Sequence, residues 1–333
     1  MATDPKDLQL PPRRMTAEGK ERRIGIELEM NGISLDRLAE VVAGTLGLQL
    51  DTDSRSSGRY ERVLKGDEAG DWVIELDFNF LKELGREPQS ARNLLDELEE
   101  SAENLLARTA TQLVPLEVVS PPLPMSRMNE VQDLIEALRQ AGALGTSGKL
   151  LYAFGMQFNP EVPDSRPETL RDYLRAFLCL YDWLDARAEI NLTRRLTSYI
   201  DPFPRGYVMK LLASRYEPDL SALIDDYLLD NPTRNRALDM LPLFSWLDEE
   251  RVKRHVDDVL IKRRPTFHYR LPNCEIDDPQ WGLHQAWHDW LEVEKLADDP
   301  KRLENICAAY QRHISNAFHL PGAWLRQLEK KWL

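Results

Sequence analysis

The chain has 333 residues, of which 42% are hydrophobic and 30% are charged, a balance typical of globular proteins. Its net charge of −13 and its lack of a long Lys/Arg run argue against nucleic acid or a membrane surface as the partner. No apolar run approaches the ~20 residues of a membrane span, and the three cysteines form no CxxC pair that would indicate a disulfide framework or a zinc site. With no apolar signal core near the N-terminus, we expect a protein of the reducing cytoplasm.

The sequence predicts a flexible arm followed by one large domain. Residues 1–20 are polar and contain prolines, which is typical of a flexible N-terminal arm. Residues 21–333 are predicted to form the single domain, rich in strands over 21–163 and mostly helical over 164–333. One late strand, PTFHYRLP at 265–272, is expected to interrupt the helical half.

The predicted elements favour an α+β fold. The expected strands are RIGIELEM, GRYERVLKG, DWVIELDFNFL, LVPLEVVSPPL, LLYAFGMQFNPEV and PTFHYRLP, the second and third forming a hairpin. Helices are predicted after the capping residue Ser34, over 90–111, 128–143 and 167–188, and again through 281–333. The strands are not spaced as βαβ units, and neither GxGxxG nor GxxxxGK[ST] occurs, which argues against a Rossmann fold or a P-loop.

The first strand carries an unusual pair of charges. Successive side chains of a strand point to opposite faces, so Glu27 and Glu29 of RIGIELEM share one face. Glutamate is disfavoured in strands, and like charges side by side repel. We therefore expect these two carboxylates to have a partner that offsets their repulsion.

Other predicted strands place polar groups at the same two-residue spacing. These groups are Glu75, Asp77 and Asn79 in the third strand, Glu117 in the fourth, Gln157 and Asn159 in the fifth, and His268 and Arg270 in the last. A solvated sheet face would also be polar, and for each strand alone that alternative stays open. Taken together, carboxylates recur without an intervening lysine, and carboxylate oxygens suit Mg²⁺ that also binds phosphate. The sheet is therefore a candidate platform for Mg²⁺ and ATP without a P-loop.

These segments, in this order, resemble the amidoligase family, whose members are related to glutamate–cysteine ligase and more remotely to glutamine synthetase. GIELEM, WVIELD, LEVVSPPL, YAFGMQFN and TFHYRLP carry the resemblance, which covers roughly residues 22–275. It implies an ATP-dependent carboxylate–amine ligase that forms an amide through an acyl phosphate. It also implies an antiparallel sheet of the glutamate–cysteine ligase/glutamine synthetase type with flanking helices, whose inner face binds ATP and Mg²⁺.

The resemblance also implies roles for individual residues. Metal ligands would come from Glu27, Glu29, Glu75, Asp77, Glu117, Gln157 and His268. ATP would contact Glu27, Glu29, Glu117, Gln157, Asn159, His268, Arg264 and Arg270, with Arg270 on phosphate or acyl phosphate. The adjacent Arg194 and Arg195 could bind a substrate carboxylate or phosphate bidentately, and a surface basic pair is the alternative.

Two positions depart from the family pattern. Gln157 stands where the family has histidine, and His268 stands where it has a late glutamate. These changes favour an alternative in which the protein binds a nucleotide or metabolite without catalysis. A metal-dependent phosphoesterase using the same carboxylates is a further alternative.

The substrates are not specified by the residues. The resemblance allows small-molecule or peptide carboxylates and amines, and family members are often associated with glutamine amidotransferase-like proteins. Such a protein is therefore an expected partner.

Overall fold

The computed structural model describes residues 8–52, 60–77, 115–146, 154–188, 201–316 and 322–333. Within these ranges the chain forms an α+β structure in which one open sheet is flanked by helices. The α+β prediction is thereby confirmed. The predicted helix 90–111 lies outside the described residues, as do Asn79, Arg194 and Arg195.

The sheet is built from antiparallel neighbours. Its strands in the described ranges are β1 Arg23–Met30, β2 Gln49–Leu50, β3 Glu61–Lys65, β4 Trp72–Leu76, β5 Leu116–Val119, β6 Leu123–Pro124, β7 Met156–Pro160, β8 Leu238–Asp239 and β9 His268–Tyr269. They are ordered β2-β3-β4-β5-β1-β7-β9-β8, with β6 pairing with the start of β1. The strand with the two glutamates therefore lies inside the sheet, between β5 and β7.

The helices pack on one another and on the sheet. Those within the described ranges are α1 Leu35–Leu46, α2 Met128–Gln140, α3 Pro167–Arg187, α4 Arg205–Leu211, α5 Leu220–Asp230, α6 Leu241–Leu247, α7 Glu249–Lys253, α8 Leu283–Ala297, α9 Pro300–Ser315 and α10 Ala323–Lys331. The Ser34 side chain accepts from the Arg37 backbone N–H, which confirms the predicted cap of α1. No helix of the described ranges is both long and apolar enough to cross a membrane.

One face of the sheet forms the main core. Ile26 on β1 lies opposite Phe158 on β7, and Phe158 lies opposite Tyr269 on β9, so the three side chains share that face. Trp287 and Trp290 of α8 pack edge-on or tilted against these rings, with centroids 6.0 and 5.2 Å apart. Because the apolar residues of β1 are buried on this side, Glu27 and Glu29 must point to the opposite face.

The N-terminal segment differs from the predicted flexible arm over its described part. Leu8 is buried, and the Trp287 indole N–H donates to the backbone oxygen of Gln9 at 2.7 Å. The Ala17 N–H also donates to the Pro163 carbonyl at 2.9 Å. Residues 8–20 therefore dock on the domain because apolar groups and backbone partners hold them there.

The late strand is shorter than the predicted span of 265–272. Only His268–Tyr269 forms a strand, although single bridges at Thr266 and Asn273 continue the alignment with β7. Pro265 and Pro272 lack an N–H, so the ladder cannot run through them, although their carbonyls accept hydrogen bonds from the Val162 and Met156 N–H groups. Both sides of this segment are buried, so it has no solvated face.

Gly32 fixes the turn immediately after β1. Its φ is +91°, and a Cβ there would lie 2.6 Å from Leu144 Cγ and 2.8 Å from the Gly142 carbonyl. We expect Gly32→Ala to lower the free energy of unfolding by about 1–3 kcal/mol through backbone strain and this contact. Gly44→Ala is the matched control, since Gly44 lies exposed in α1 with open space where the added methyl group would lie, and it should add about 0.5–1 kcal/mol. Urea titration measures both, and equal effects would contradict this explanation.

Candidate active site

Glutamates from neighbouring strands form a row across the face of the sheet opposite the main core, called the polar face below. Glu29 on β1 lies directly opposite Glu117 on β5, and Glu117 lies directly opposite Glu75 on β4. Glu61 on β3 lies opposite Glu75 and extends the row. Directly opposed Cβ atoms in antiparallel sheets are about 5 Å apart, so the carboxylates are neighbours.

The row is too buried to be an ordinary solvated sheet face. Glu29 is 6% exposed, Glu117 is 7% exposed, and the nearby Asp77 is 9% exposed. Burial raises the pKa of Glu117 well above its ordinary value, and the negative charges of Glu27, Asp77, Glu29 and Glu75 raise it further. The alternative of a solvated face is therefore wrong for the central residues of the row.

The two glutamates of β1 are held in place by hydrogen bonds from β7 and its flanks. Glu29 accepts from the Gly155 backbone N–H at 2.7 Å and from the Gln157 side-chain amide at 2.9 Å. Glu27 accepts from the Asn159 side-chain amide at 2.7 Å. These donors fix the direction of both carboxylates.

Cationic groups gather on the β9 side of the polar face. Arg264 donates to Asn159 Oδ1 at 2.6 Å, and its Nη2 lies 3.7 Å from Glu27 Oε1. Arg270 is buried, and its guanidinium donates to the Arg234 carbonyl at 2.5 Å. The polar face thus has a carboxylate side on β1, β4 and β5 and a guanidinium side on and beside β9.

His268 lies between the two sides. Its Nε2 is 2.6 Å from Gln157 Oε1, and its Nδ1 is 3.6 Å from Asp239 Oδ2. Burial lowers the pKa of His268 well below 6.5, and the charges of Arg264, Arg270 and Arg234 lower it further. Burial also raises the pKa of Asp239 to about 6, opposed by the Leu241 backbone hydrogen bond and the same arginines.

The donor chemistry of the carboxylate side fits Mg²⁺. No group of three or more His, Cys, Asp or Glu within the described ranges forms a ready-made metal cluster. Mg²⁺ does not need one, because it usually takes one or two protein carboxylates and completes its octahedron with waters and phosphate oxygens. A divalent cation would offset the repulsion that raises the pKa of Glu117. One or two of Glu29, Glu117 and Glu75 could hold it.

The structure brings most of the predicted site residues together. Those on the polar face or in direct contact with its residues are Glu27, Glu29, Glu75, Asp77, Glu117, Gln157, Asn159, Arg264, His268 and Arg270. Gln157 and His268, predicted as metal ligands, are hydrogen-bonded to each other. Sequence reasoning missed Glu61, Arg234 and Asp239. The predicted hairpin of the second and third strands could have indicated Glu61, which lies opposite Glu75. Asp239 lies in a two-residue strand with no readable pattern, and Arg234 lies in the segment before that strand.

The family comparison gives the class of the enzyme. A family model described as "Putative amidoligase enzyme" matches residues 20–292 of the 333-residue chain. The chain therefore belongs to this amidoligase family, which confirms the resemblance seen in its motifs, and by class it is an amide-bond ligase. Comparisons with curated proteins and with solved structures returned no match.

Proposed function

We propose that the protein is an ATP-dependent carboxylate–amine ligase that binds Mg²⁺ and ATP on the polar face. The observation that carries this proposal is the in-register row of Glu29, Glu117 and Glu75 on three adjacent strands, in which Glu29 and Glu117 are buried and Glu75 is half-buried. Such a row is costly unless cations occupy it, and the guanidinium groups beside it suit the phosphates that would accompany those cations.

The two sides of the polar face have complementary tasks in this proposal. The carboxylates of β1, β4 and β5 hold the cations, while Arg264 and Arg270 bind and orient the phosphate chain. Bound Mg²⁺ supplies charge neutralisation of the phosphate oxygens. The burial of Glu29 and Glu117 limits water around the transferring group, which favours transfer to a carboxylate over hydrolysis.

The reaction then proceeds in two transfers. A substrate carboxylate oxygen attacks the γ-phosphorus of ATP, and the bond between that phosphorus and the β-phosphate oxygen breaks. The products of this step are ADP and an acyl phosphate. An amine nitrogen attacks the acyl carbon, inorganic phosphate departs with the bonding electrons, and the nitrogen loses a proton. Positioning and charge neutralisation suffice for both steps, so no side-chain nucleophile is required.

We extend the proposal to the fold. The antiparallel order of the sheet, with a polar inner face and helices behind the other face, supports kinship with the glutamate–cysteine ligase/glutamine synthetase type. The in-order motifs of β1, β4, β5, β7 and β9 point the same way.

One observation favours a second candidate, a member that binds ATP without turnover. Gln157 and His268 are hydrogen-bonded to each other at 2.6 Å, so neither group presents a full set of free lone pairs to a metal. Formation of ADP by the purified protein separates the two candidates. A ligase forms ADP only when Mg²⁺, a carboxylate and an amine are all present. A protein that only binds ATP forms no ADP with any carboxylate–amine pair. Hydrolysis of a phosphate bond without an amine indicates a phosphoesterase.

A pair of adjacent arginines gives a sharp test of the phosphate assignment. Arg264 contacts Asn159 on the polar face, whereas Arg263 is exposed and pairs with Glu249. We expect Arg264→Gln to raise the Kd for Mg–ATP about 10-fold or more, because a hydrogen bond to a charged group contributes about 1.5–3 kcal/mol. Arg263→Gln should leave the Kd unchanged. Equal Kd values for the two variants in isothermal titration calorimetry would contradict the assignment.

A further inference from the structure

A directed chain of hydrogen bonds runs from His268 to the carboxylate row. Gln157 donates through Nε2 to Glu29 Oε1 at 2.9 Å, and only the amide N–H can donate to a carboxylate. The amide oxygen of Gln157 must therefore face His268, whose Nε2 lies 2.6 Å away. Since that oxygen can only accept, His268 Nε2 must carry a proton.

The other ring nitrogen of His268 faces Asp239. Nδ1 lies 3.6 Å from Asp239 Oδ2, and both atoms are buried without a hydrogen-bond partner within the described ranges. The second oxygen of Asp239 accepts from the Leu241 backbone N–H at 2.9 Å, which aims the free oxygen at the ring. Two lone pairs that face each other in a buried place repel, so a proton belongs between them.

We propose that Asp239 is a positioning residue of the ATP site, which shares a proton with His268 Nδ1 and thereby fixes the proton on Nε2. His268 then orients the Gln157 amide, and Gln157 directs its N–H to Glu29. Every hydrogen bond in this relay, Asp239–His268–Gln157–Glu29, points toward Glu29 and keeps that carboxylate aligned. The functional meaning of the relay rests on the proposed function, whereas its geometry does not.

The relay accounts for the two departures from the family pattern. Histidine and glutamate are expected at the positions of Gln157 and His268, and the structure places a carboxylate, Asp239, on β8 directly opposite His268. Strand β8 thus supplies the carboxylate, next to His268 on β9. Asp239 is 0% exposed, so it acts through His268 and does not contact substrate.

The protonation pattern can be measured without metal or nucleotide. Nitrogen NMR of the ¹⁵N-histidine-labelled protein, with His268→Gln to assign the signal, reports which ring nitrogen carries the proton. We expect a protonated Nε2 and an Nδ1 shifted by hydrogen bonding, and a loss of that Nδ1 shift in Asp239→Leu. A bare Nε2 with a protonated Nδ1 in the native protein would overturn the proposal.

The functional consequence is tested with three variants. We expect Asp239→Leu to raise the Mg²⁺ concentration needed for half-maximal ATP binding by about 10–100-fold, the usual effect of losing an outer partner of a metal ligand. Asp239→Asn should keep the Mg²⁺ requirement of the native protein, because its amide can accept from the Leu241 N–H and donate to His268 Nδ1. Leu238→Ala is the matched control, because Leu238 is buried in the same strand on the opposite face. It should lower the melting temperature and leave the Mg²⁺ requirement unchanged.

The outcomes separate the relay from the proposed function. An unchanged Mg²⁺ requirement in a folded Asp239→Leu protein overturns the positioning role. If that variant does not fold, a protonated Nδ1 on His268 in Asp239→Asn overturns it instead. Failure of the native protein to bind Mg–ATP removes the proposed function, and the NMR spectrum still decides whether the relay exists.

Discussion

Replacing Glu117 with glutamine is expected to abolish Mg²⁺-dependent ATP turnover and to make the protein more stable at neutral pH. Glu117 lies between Glu29 and Glu75, and removing its charge relieves repulsion on both sides. The same change removes the central carboxylate of the proposed cation site. We expect turnover to fall by about 100-fold or more, because even an outer partner of a metal ligand contributes 10–100-fold.

The raised pKa of Glu117 also predicts the direction in which stability changes with pH. Since the pKa of Glu117 is raised in the folded state, that state binds the proton more tightly than the unfolded chain does. The resulting contribution to stability is fully present below the ordinary value of 4.5 and is lost as the pH rises through the raised pKa. Over this pH range the native protein should lose more stability than the Glu117→Gln variant. Added Mg²⁺ should restore the stability that the native protein loses.

Thermal melts at several pH values, with and without Mg²⁺, measure these effects. Glu304→Gln, at an exposed position of α9, is the control for a general change in net charge. If Glu117→Gln melted at the same temperature as this control and kept its ATP turnover, the carboxylate row would not be the cation site.

The second large effect concerns the buried pair of Arg22 and Glu294. Both side chains are fully buried and meet through two hydrogen bonds of 2.9 and 2.8 Å. Tyr173 and Trp290 also donate to the Glu294 carboxylate. Glu294→Leu should therefore lower the free energy of unfolding by about 3–5 kcal/mol, because it leaves the charge of Arg22 in the interior without a carboxylate partner.

Two further variants separate a buried charge from a lost contact. The double change Arg22→Met with Glu294→Leu should recover part of the stability, since an apolar pair removes the uncompensated charge while Tyr173 and Trp290 still lack their acceptor. Glu40→Gln breaks the exposed pair with Arg37 and should cost less than about 1 kcal/mol. Urea denaturation measures all of these variants, and a double variant no better than Glu294→Leu would contradict this explanation.

Strand alternation was enough to predict the direction of the site residues. The two-residue spacing of Glu27 and Glu29 places both on the polar face, as the structure shows. The spacing could not reveal register, because a strand's sequence does not state which residue lies opposite it. That Glu117 faces Glu29 on one side and Glu75 on the other emerges only from the pairing of β1, β4 and β5.

The role of Asp239 and the docking of residues 8–20 could not be predicted from the sequence. Asp239 lies in the two-residue strand Leu238–Asp239, which is too short to show a period. Its importance depends on lying opposite His268, a contact between residues far apart in the chain. The docking of residues 8–20 was missed for the same reason, since the Gln9 carbonyl meets Trp287 only in the folded protein.

The proposed function requires that the carboxylate row on β1, β4 and β5 binds Mg²⁺ together with ATP. Isothermal titration calorimetry of ATP into the purified protein, with Mg²⁺ and with a chelator, tests it most directly. We expect saturable ATP binding that requires Mg²⁺ and is lost in Glu117→Gln, while that variant remains folded. Absence of ATP binding, or binding that is equal without Mg²⁺ and in Glu117→Gln, would contradict it.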